Sequence, residues 1–354
     1  MPTLPPWSPD HLRLHRHLLR RPELLPAGAP LLLAVSGGQD SMALTGLLCD
    51  LRRLHGWRLL LWHGDHGWRA GSAREAEALA GWAAAQALPL HLDRARDPDG
   101  PGAAREGAED EATARTWRYA CLSRLARQEG CGHVVTGHTA SDRAETVLLN
   151  LARGCHRRGL ASMRASRRLE SGDGPALQLV RPLLPFSRED TARICRERNL
   201  PVWPDPSNDD PRFSRNRLRQ QLLPVLERLH PGASRRIAAQ AGRLADELAH
   251  EEELLNLALA GLTPAAGDCS SAQGQPATLD RHQLAGLASA SQGRLLSHWI
   301  REHSGIAPAA TVMGALVERI RRGAPAGQQD LQRRWQLTWD ASTLKLLPPD
   351  DRHG

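Results

Sequence analysis

The sequence predicts an α/β fold: a parallel sheet with helices on both faces, followed by a mainly helical C-terminal region. Three observations predict it. Short apolar runs alternate with helix-patterned stretches from residue 31 to about 152, the signature of successive strand–helix–strand units. Polar, glycine-bearing loops close these strands at Ser36, Asp65 and Gly137, and ligands gather at the carboxyl ends of strands in such sheets. After Pro224 the strand pattern gives way to long helical periodicity.

The elements follow in order. Residues 9–20 set Leu12, Leu14, Leu18 and Leu19 among basic residues, an amphipathic helix ended by Pro22 and Pro26. Leu31 to Val35 form a buried strand. A helix then runs from Ser41 to about residue 54 through Met42, Leu44, Leu47 and Leu48. Leu59 to His63 reads as a second strand, residues 72–88 as an alanine-rich helix and Leu90–Leu92 as a third strand. Residues 95–107 are a loop of glycine, proline and charge. A helix over about 109–128 leads to a fourth strand, His133–Thr136, and a further helix covers about 141–152.

Between the first strand and its helix stands Ser36-Gly37-Gly38-Gln39-Asp40-Ser41. Glycines let the backbone approach an anion with its N–H groups turned inward. The helix start adds free N–H groups and a positive dipole end. Ser36 and Ser41 can donate hydroxyls, and Asp40 can hold a magnesium ion that bridges phosphates. A Walker loop would supply a lysine here; the chain's one lysine is Lys345.

Three other stretches carry candidate chemistry. Asp65-His66-Gly67-Trp68-Arg69 follows the second strand and reads either as a polar turn or as a loop bordering the nucleotide. Glu111, Arg115 and Arg118 share a helix face. They make a solvated Glu–Arg pair, or they give Arg115 a phosphate or nucleotide contact. Gly137-His138-Thr139-Ala140-Ser141-Asp142-Arg143-Ala144-Glu145-Thr146 opens a helix, with Asp142 and Glu145 pointing one way. A Thr139 cap accounts for Asp142 but explains Glu145 less well.

Beyond it, residues 153–168 form a basic segment, including Arg157 and Arg158, read as a mobile segment beside the expected active site or as a solvated surface loop. Leu177–Val180 is a strand running into Arg181-Pro182-Leu183-Leu184, and Ser187–Asn199 is a helix. Asp205-Pro206-Ser207-Asn208 is a turn before the charged helix Arg215-Asn216-Arg217-Leu218-Arg219. From 225 onward we expect a long helix over 232–260, a flexible connection at 261–277, helices at about 280–303 and 309–322, and a terminal hairpin. The expected domains are 1–224 and 225–354.

Composition narrows the function classes. The chain has 354 residues and a formal net charge of +7, which suits a polyanionic partner. Its six cysteines contain no CxxC pair, against a zinc ribbon or an iron–sulfur site. With no signal peptide and no apolar run of about 18 residues, a cytoplasmic protein without membrane contact is expected.

Taken together, Ser36–Ser41, Asp65–Arg69, Glu111–Tyr119, Gly137–Thr146, Arg181–Leu184 and Asp205–Arg219 resemble the bacterial tRNA(Ile)-lysidine synthases. These are N-type ATP pyrophosphatases with a PP-loop, of the adenine nucleotide alpha hydrolase-like fold. The resemblance covers roughly the first 220 residues, with the last two stretches its most discriminating. It implies ATP as co-substrate, Mg2+ at Asp40, and two further partners: tRNA(Ile) with a CAU anticodon, and free L-lysine. ATP would adenylate O2 of the wobble cytidine, and the lysine ε-amine would displace AMP at C2. The lysidine formed switches the tRNA's identity from methionine to isoleucine.

By the same resemblance Ser36, Gly37, Gly38, Gln39, Asp40 and Ser41 bind ATP, and Asp65, His66, Arg115, Gly137 and His138 lie beside the nucleotide. Asp142 and Glu145 receive the lysine ammonium, and Arg157, Arg158, Arg215, Asn216 and Arg219 contact tRNA. The chain departs from the family pattern at Ser141, where an acid is usual, and at Thr139 and Arg143. The nearest rivals are another PP-loop chemistry, such as tRNA thiolation, and a non-catalytic RNA-binding protein. The missing CxxC pair counts against thiolation, and intact Asp40, Asp142 and Glu145 against the second.

Overall fold

Apolar runs with side chains buried alternately on two faces need helices on both sides, and that requirement shapes the N-terminal part of the chain. A computed structural model describes residues 7–66, 71–95, 111–169, 176–203, 214–263 and 277–349. Gly67–Arg69, the loop from 96 to 107, the Asp205–Asn208 turn and residues 264–276 lie outside the described residues. Contacts divide the chain into two units, Met1–Ala245 and Asp246–Gly354.

The first unit is built on a six-stranded sheet. Its strands are β1 (Pro30–Ala34), β2 (Arg58–Asp65), β3 (Leu90–Arg94), β4 (His133–Thr136), β5 (Ser166–Leu169) and β6 (Leu177–Val180). The order is β3-β2-β1-β4-β6-β5, parallel except for β5, which pairs antiparallel with β6. Strand alternation sorts the core. Leu31 and Leu33 pack on one face with α1 (Pro9–Arg20), α2 (Gln39–His55), α3 (Ser72–Ala85) and α7 (Arg188–Glu197). Leu32 and Val134 pack on the other with Trp117, Cys121 and Leu125 of α4 (Glu111–Gln128). Because β1 has β2 on one side and β4 on the other, the chain reverses its direction of winding between β1 and β4, where ligands bind in such sheets.

The expected helices and parallel strands of this part are all found. The basic segment differs from expectation. It holds a short helix, α6 (Arg157–Leu160), and the edge strand β5. Ser166-Arg167-Arg168-Leu169 lacks an apolar alternation, so only its pairing with β6 makes it a strand. After α5 (Ala140–Ala152) and α7 come α8 (Ser214–Arg217), a π-helical turn (Leu218–Leu222), α9 (Leu223–Leu229) and α10 (Ala233–Leu262).

Asp190 ties three of these helices together. Its carboxylate accepts from Arg13 of α1 at 3.0 Å, Arg193 of α7 at 3.3 Å and Arg235 of α10 at 2.8 Å. It also caps its own helix, accepting from Ser187 N–H at 2.9 Å. Burial opposes ionisation of Asp190, but the Ser187 N–H and the guanidiniums of Arg235 and Arg13 hold its carboxyl below the usual range.

The second unit is mainly helical, with the last turns of α10, α11 (Arg281–Ala285), α12 (Ser289–Ser304) and α13 (Ala310–Arg321). The single helix expected over 280–303 is broken between α11 and α12. The terminal hairpin is present as β9 (Gln336–Trp339) and β10 (Thr343–Leu347). β7 (Ala277–Asp280) and β8 (Gly327–Asp330) extend it to an antiparallel sheet ordered β7-β10-β9-β8. Leu279, Leu337, Leu344 and Leu346 of this sheet pack with Leu296, Trp299, Ile300 and Leu316 of the helices.

Candidate active site

The Ser36–Ser41 loop connects β1 to α2 at the switch point. Gly37 sits at φ +82°, a conformation an L side chain rarely adopts, and a Cβ there would lie 3.1 Å from the Trp203 ring. Trp203 also donates its N–H to Gly37 O at 3.0 Å, closing the loop from outside. Ser36 Oγ and Ser41 Oγ meet at 3.2 Å, and Ser41 Oγ donates to Gly38 O at 2.8 Å. Gly38 is the N-cap of α2 and no side chain caps it, so the first-turn N–H groups are available to an anion.

Side chains of α2's first turn are held by α7. Gln39 Nε2 donates to Arg188 O and Thr191 Oγ1, both at 2.8 Å. Its side chain therefore braces α7, and its backbone N–H is what it can offer a phosphate. Asp40 Oδ1 accepts from Thr191 Oγ1 at 2.5 Å, and Arg188 Nε lies 3.7 Å from Asp40 Oδ2. Arg188 Nη1 is buried without a hydrogen-bond partner, which suits an anion arriving at this loop. Burial, then the neighbouring Asp142 carboxylate, push the Asp40 carboxyl up to about 6, against the pull of Arg188 and Thr191.

The Gly137 loop packs directly against this turn. A Cβ on Gly137 would lie 2.9 Å from the backbone of Asp40 and Ser41, so only glycine lets the two loops touch. His138 Nδ1 lies 2.9 Å from Thr136 Oγ1. Burial lowers His138 to about 4 with help from Arg181, Arg215 and Arg115, while Asp142 opposes it, so the imidazole is neutral at pH 7. Thr139 is the N-cap of α5, and its N–H and Oγ1 both donate to Asp142 Oδ2 at 2.9 Å. Burial would raise Asp142, but His138, Arg215 and the Thr139 N–H outweigh it and hold the carboxyl low.

Glu145 is fully buried. Its Oε2 accepts from Arg215 Nε at 2.6 Å and Arg219 Nη2 at 2.9 Å, and its Oε1 from Arg219 Nε at 2.7 Å. Arg215 Nη2 donates to Asp142 Oδ1 at 3.1 Å. The two acids do converge, and all four of their oxygens are occupied by two guanidiniums and the cap. Arg215 and Arg219, which the sequence assigned to RNA, thus neutralise the acids assigned to lysine. Asn216 is 7% exposed and offers RNA no exposed amide. Arg157 and Arg158 are exposed on α6. Ser141, where an acid was expected, accepts from Arg188 N–H at 3.2 Å.

A basic wall flanks the site. The single tyrosine, Tyr119, carries Arg115 at 5.1 Å and Arg167 at 5.0 Å over its ring. Arg181 is 4% exposed and donates to Arg164 O at 2.7 Å. Burial, with Arg167 and Arg115 acting the same way, lowers Arg181 to about 10 against the opposing effect of Tyr119. Asp65 is buried at the end of β2. His66 lies edge-on to Trp117 at 4.7 Å, and burial together with Arg118 lowers it to about 4.

The sequence reading missed Arg188, Thr191 and Trp203. Ser187 signalled the start of α7, but nothing local indicates that this helix's first turn meets Asp40. Among the described residues, no three His, Cys, Asp or Glu side chains are grouped to hold a metal ion unaided. Asp40 nevertheless supplies hard carboxylate oxygens beside the phosphate loop. That donor set fits magnesium, which is ordinarily held by one or two carboxylates together with substrate phosphates.

Comparison with known proteins agrees with this geometry. Residues 15–226 match the family model of the PP-loop domain. The chain is 46% identical to the tRNA(Ile)-lysidine synthase of Parasynechococcus marenigrum over 98% of this chain and 97% of that one. It is 36% identical to the synthase of the same name from Prochlorococcus marinus, over 97% of both chains. Among solved structures, the tRNA thiolase NcsA from Methanococcus maripaludis shares the fold, with a TM-score of 0.55 at 18% identity, over 67% of this chain and 79% of that one.

Proposed function

The chain belongs to the tRNA(Ile)-lysidine synthases, ATP-dependent ligases with a PP-loop, and on that premise we propose how its residues divide the reaction. The substrates are the CAU-anticodon tRNA(Ile), ATP and free L-lysine, and the reaction takes place in the cytoplasm. No helix among the described residues is long and apolar enough to cross a membrane.

The contact between the Gly137 loop and the Asp40 turn carries the reading. It sets a neutral histidine and two carboxylates beside an uncapped helix start. In the first half-reaction O2 of the wobble cytidine attacks the α-phosphorus of ATP. The α2 N–H groups, the Ser36 and Ser41 hydroxyls and Arg188 take the charge that builds on the departing pyrophosphate. Asp40 would hold the magnesium ion, which would neutralise phosphate charge. Adenylation turns a poor leaving group into a good one. In the second half-reaction the lysine amine attacks C2 and AMP leaves. Asp142 and Glu145 are the acids assigned to the ammonium, and lysine has to displace Arg215 and Arg219 from them. The region from 225 onward contributes tRNA affinity.

Incubating the protein with CAU-anticodon tRNA(Ile), ATP and labelled lysine tests this. Label should enter RNA together with AMP and pyrophosphate in equal amounts. ATP cleavage with no lysine in the RNA would refute the assignment and favour another PP-loop chemistry.

A further inference from the structure

A second cationic feature lies on α1. Pro9, Leu12, Arg13, Arg16, His17 and Arg20 of this helix, with Pro185, line a groove of about 430 Å³. Residues 13, 16, 17 and 20 recur at helical spacing, so their side chains form one stripe. Arg13 is anchored: it donates to Asp190 and Pro185 O and lies over the Phe186 ring at 4.5 Å. Arg16 and Arg20 are exposed and have no acidic partner among the described residues.

The acids nearby are already engaged. Asp190 serves Arg13, Arg193 and Arg235, and Asp10 serves Arg193 at 2.7 Å. Glu23, which acts electrostatically on His17, is paired with Arg21 at 3.1 Å. His17 Nε2 is buried without a partner. Burial and the arginines Arg21 and Arg143 lower His17 to about 4, so at pH 7 it is a neutral hydrogen-bonding group.

We infer that this groove seats the sugar–phosphate backbone of the RNA substrate, with Arg16 and Arg20 on its phosphates and His17 as a hydrogen-bonding partner. The inference rests on the RNA-modifying activity proposed above and adds a contact surface to it. Guanidinium forks match phosphate oxygens. The groove runs from Pro9 to Arg20, about 16 Å along the helix at 1.5 Å per residue, longer than one phosphate group needs. Its apolar walls, Pro9, Leu12 and Pro185, give a sugar edge something to lie against. The groove is also linked to the catalytic helix, since Arg143 of α5 acts on His17 and holds Met163 O at 2.6 Å.

The test is a double substitution, Arg16→Gln with Arg20→Gln, in the full-length protein. Both side chains are exposed, so the fold is not at risk; ATP affinity and melting temperature serve as controls. Binding of CAU-anticodon tRNA(Ile) is measured across a salt series. Two lost phosphate contacts should lower the slope of log K against log salt by between about 1 and 2 and weaken binding roughly tenfold at low salt. An unchanged slope and affinity would overturn the inference. A small-anion site is the competing outcome: inorganic phosphate would then raise the melting temperature of the wild type but not of the variant, with tRNA binding equal in both. Lysine transfer is assayed separately on the wild type. A wild type that binds tRNA but transfers no lysine defeats the functional reading alone, and the salt slope still decides the groove. A wild type that binds no tRNA defeats both.

Discussion

Glu145 lies wholly out of solvent with Arg219 forked across it, Nε on one carboxylate oxygen and Nη2 on the other, at 2.7 and 2.9 Å. Such a pair stands or falls together, since removing one partner leaves an uncompensated buried charge. Glu145→Gln should therefore destabilise the first unit by about 3–5 kcal/mol, as well as impairing lysine transfer. Urea denaturation measures the first effect. A companion Arg219→Met substitution should recover part of the lost stability. A Glu145→Gln protein of wild-type stability would mean the pair is not the strut that the geometry describes.

Asp40→Asn should leave the fold intact and cut pyrophosphate release by at least about tenfold. Carboxylate oxygens bind magnesium, and an amide leaves the phosphate charge unneutralised. Near-normal release at saturating magnesium would refute the role.

Arg188→Gln addresses the phosphate loop from the other side. Its buried, unpartnered Nη1 is placed to meet an anion, and the loop has no lysine. The variant should bind ATP roughly tenfold more weakly, in keeping with the loss of one charge-assisted hydrogen bond. Equal affinity by equilibrium dialysis would show that Arg188 serves Asp40 only.

Tyr119 is the only tyrosine, so its titration can be read without assignment. Burial works to raise the phenol, but Arg115 and Arg167 prevail and lower it below its ordinary value of 10. Arg115→Gln should move the tyrosinate absorbance transition to higher pH. Bound ATP should do the same, because phosphate charge beside Arg115 offsets the guanidinium. No response to ATP would remove Arg115 from the nucleotide's surroundings.

Asp190→Asn should cost about 1–3 kcal/mol, the range for losing hydrogen bonds to charged groups. The guanidiniums are partly exposed, which screens the effect. The sign with pH follows from the lowered carboxyl. Asp190 contributes fully above its unfolded value of 3.8 and loses that contribution as pH falls through its folded value. The gap between wild type and variant should therefore close in acid.

Much of this could be read from the chain. Leu31 to Val35 and Leu59 to His63 are apolar enough to be strands in any context, and the Ser36–Ser41 turn follows from its own residues. The edge strand β5 could not be read, because arginines fill it and its partner is remote in sequence. Neither could the meeting of Asp40 with Thr191, which are 151 residues apart. The Arg215–Glu145 contact was hidden for a different reason: the same arginine suits a phosphate and a carboxylate equally, and only packing decides between them.

The Asp190 junction also bears on the order in which the chain can be completed. Helix α1 leaves the ribosome before α2, and its apolar side, with Leu14 and Leu18, can settle on α2 as soon as that helix has been made. His11 can meet Asp50 of α2 at the same stage, but Asp10 and Arg13 must wait. Arg13 meets its carboxylate only when residue 190 emerges, 177 positions later, and the junction is complete only after Arg235. The helix is thus among the last to be fully fastened, and a nascent chain halted before α7 would lack its links to Asp190 and Arg193.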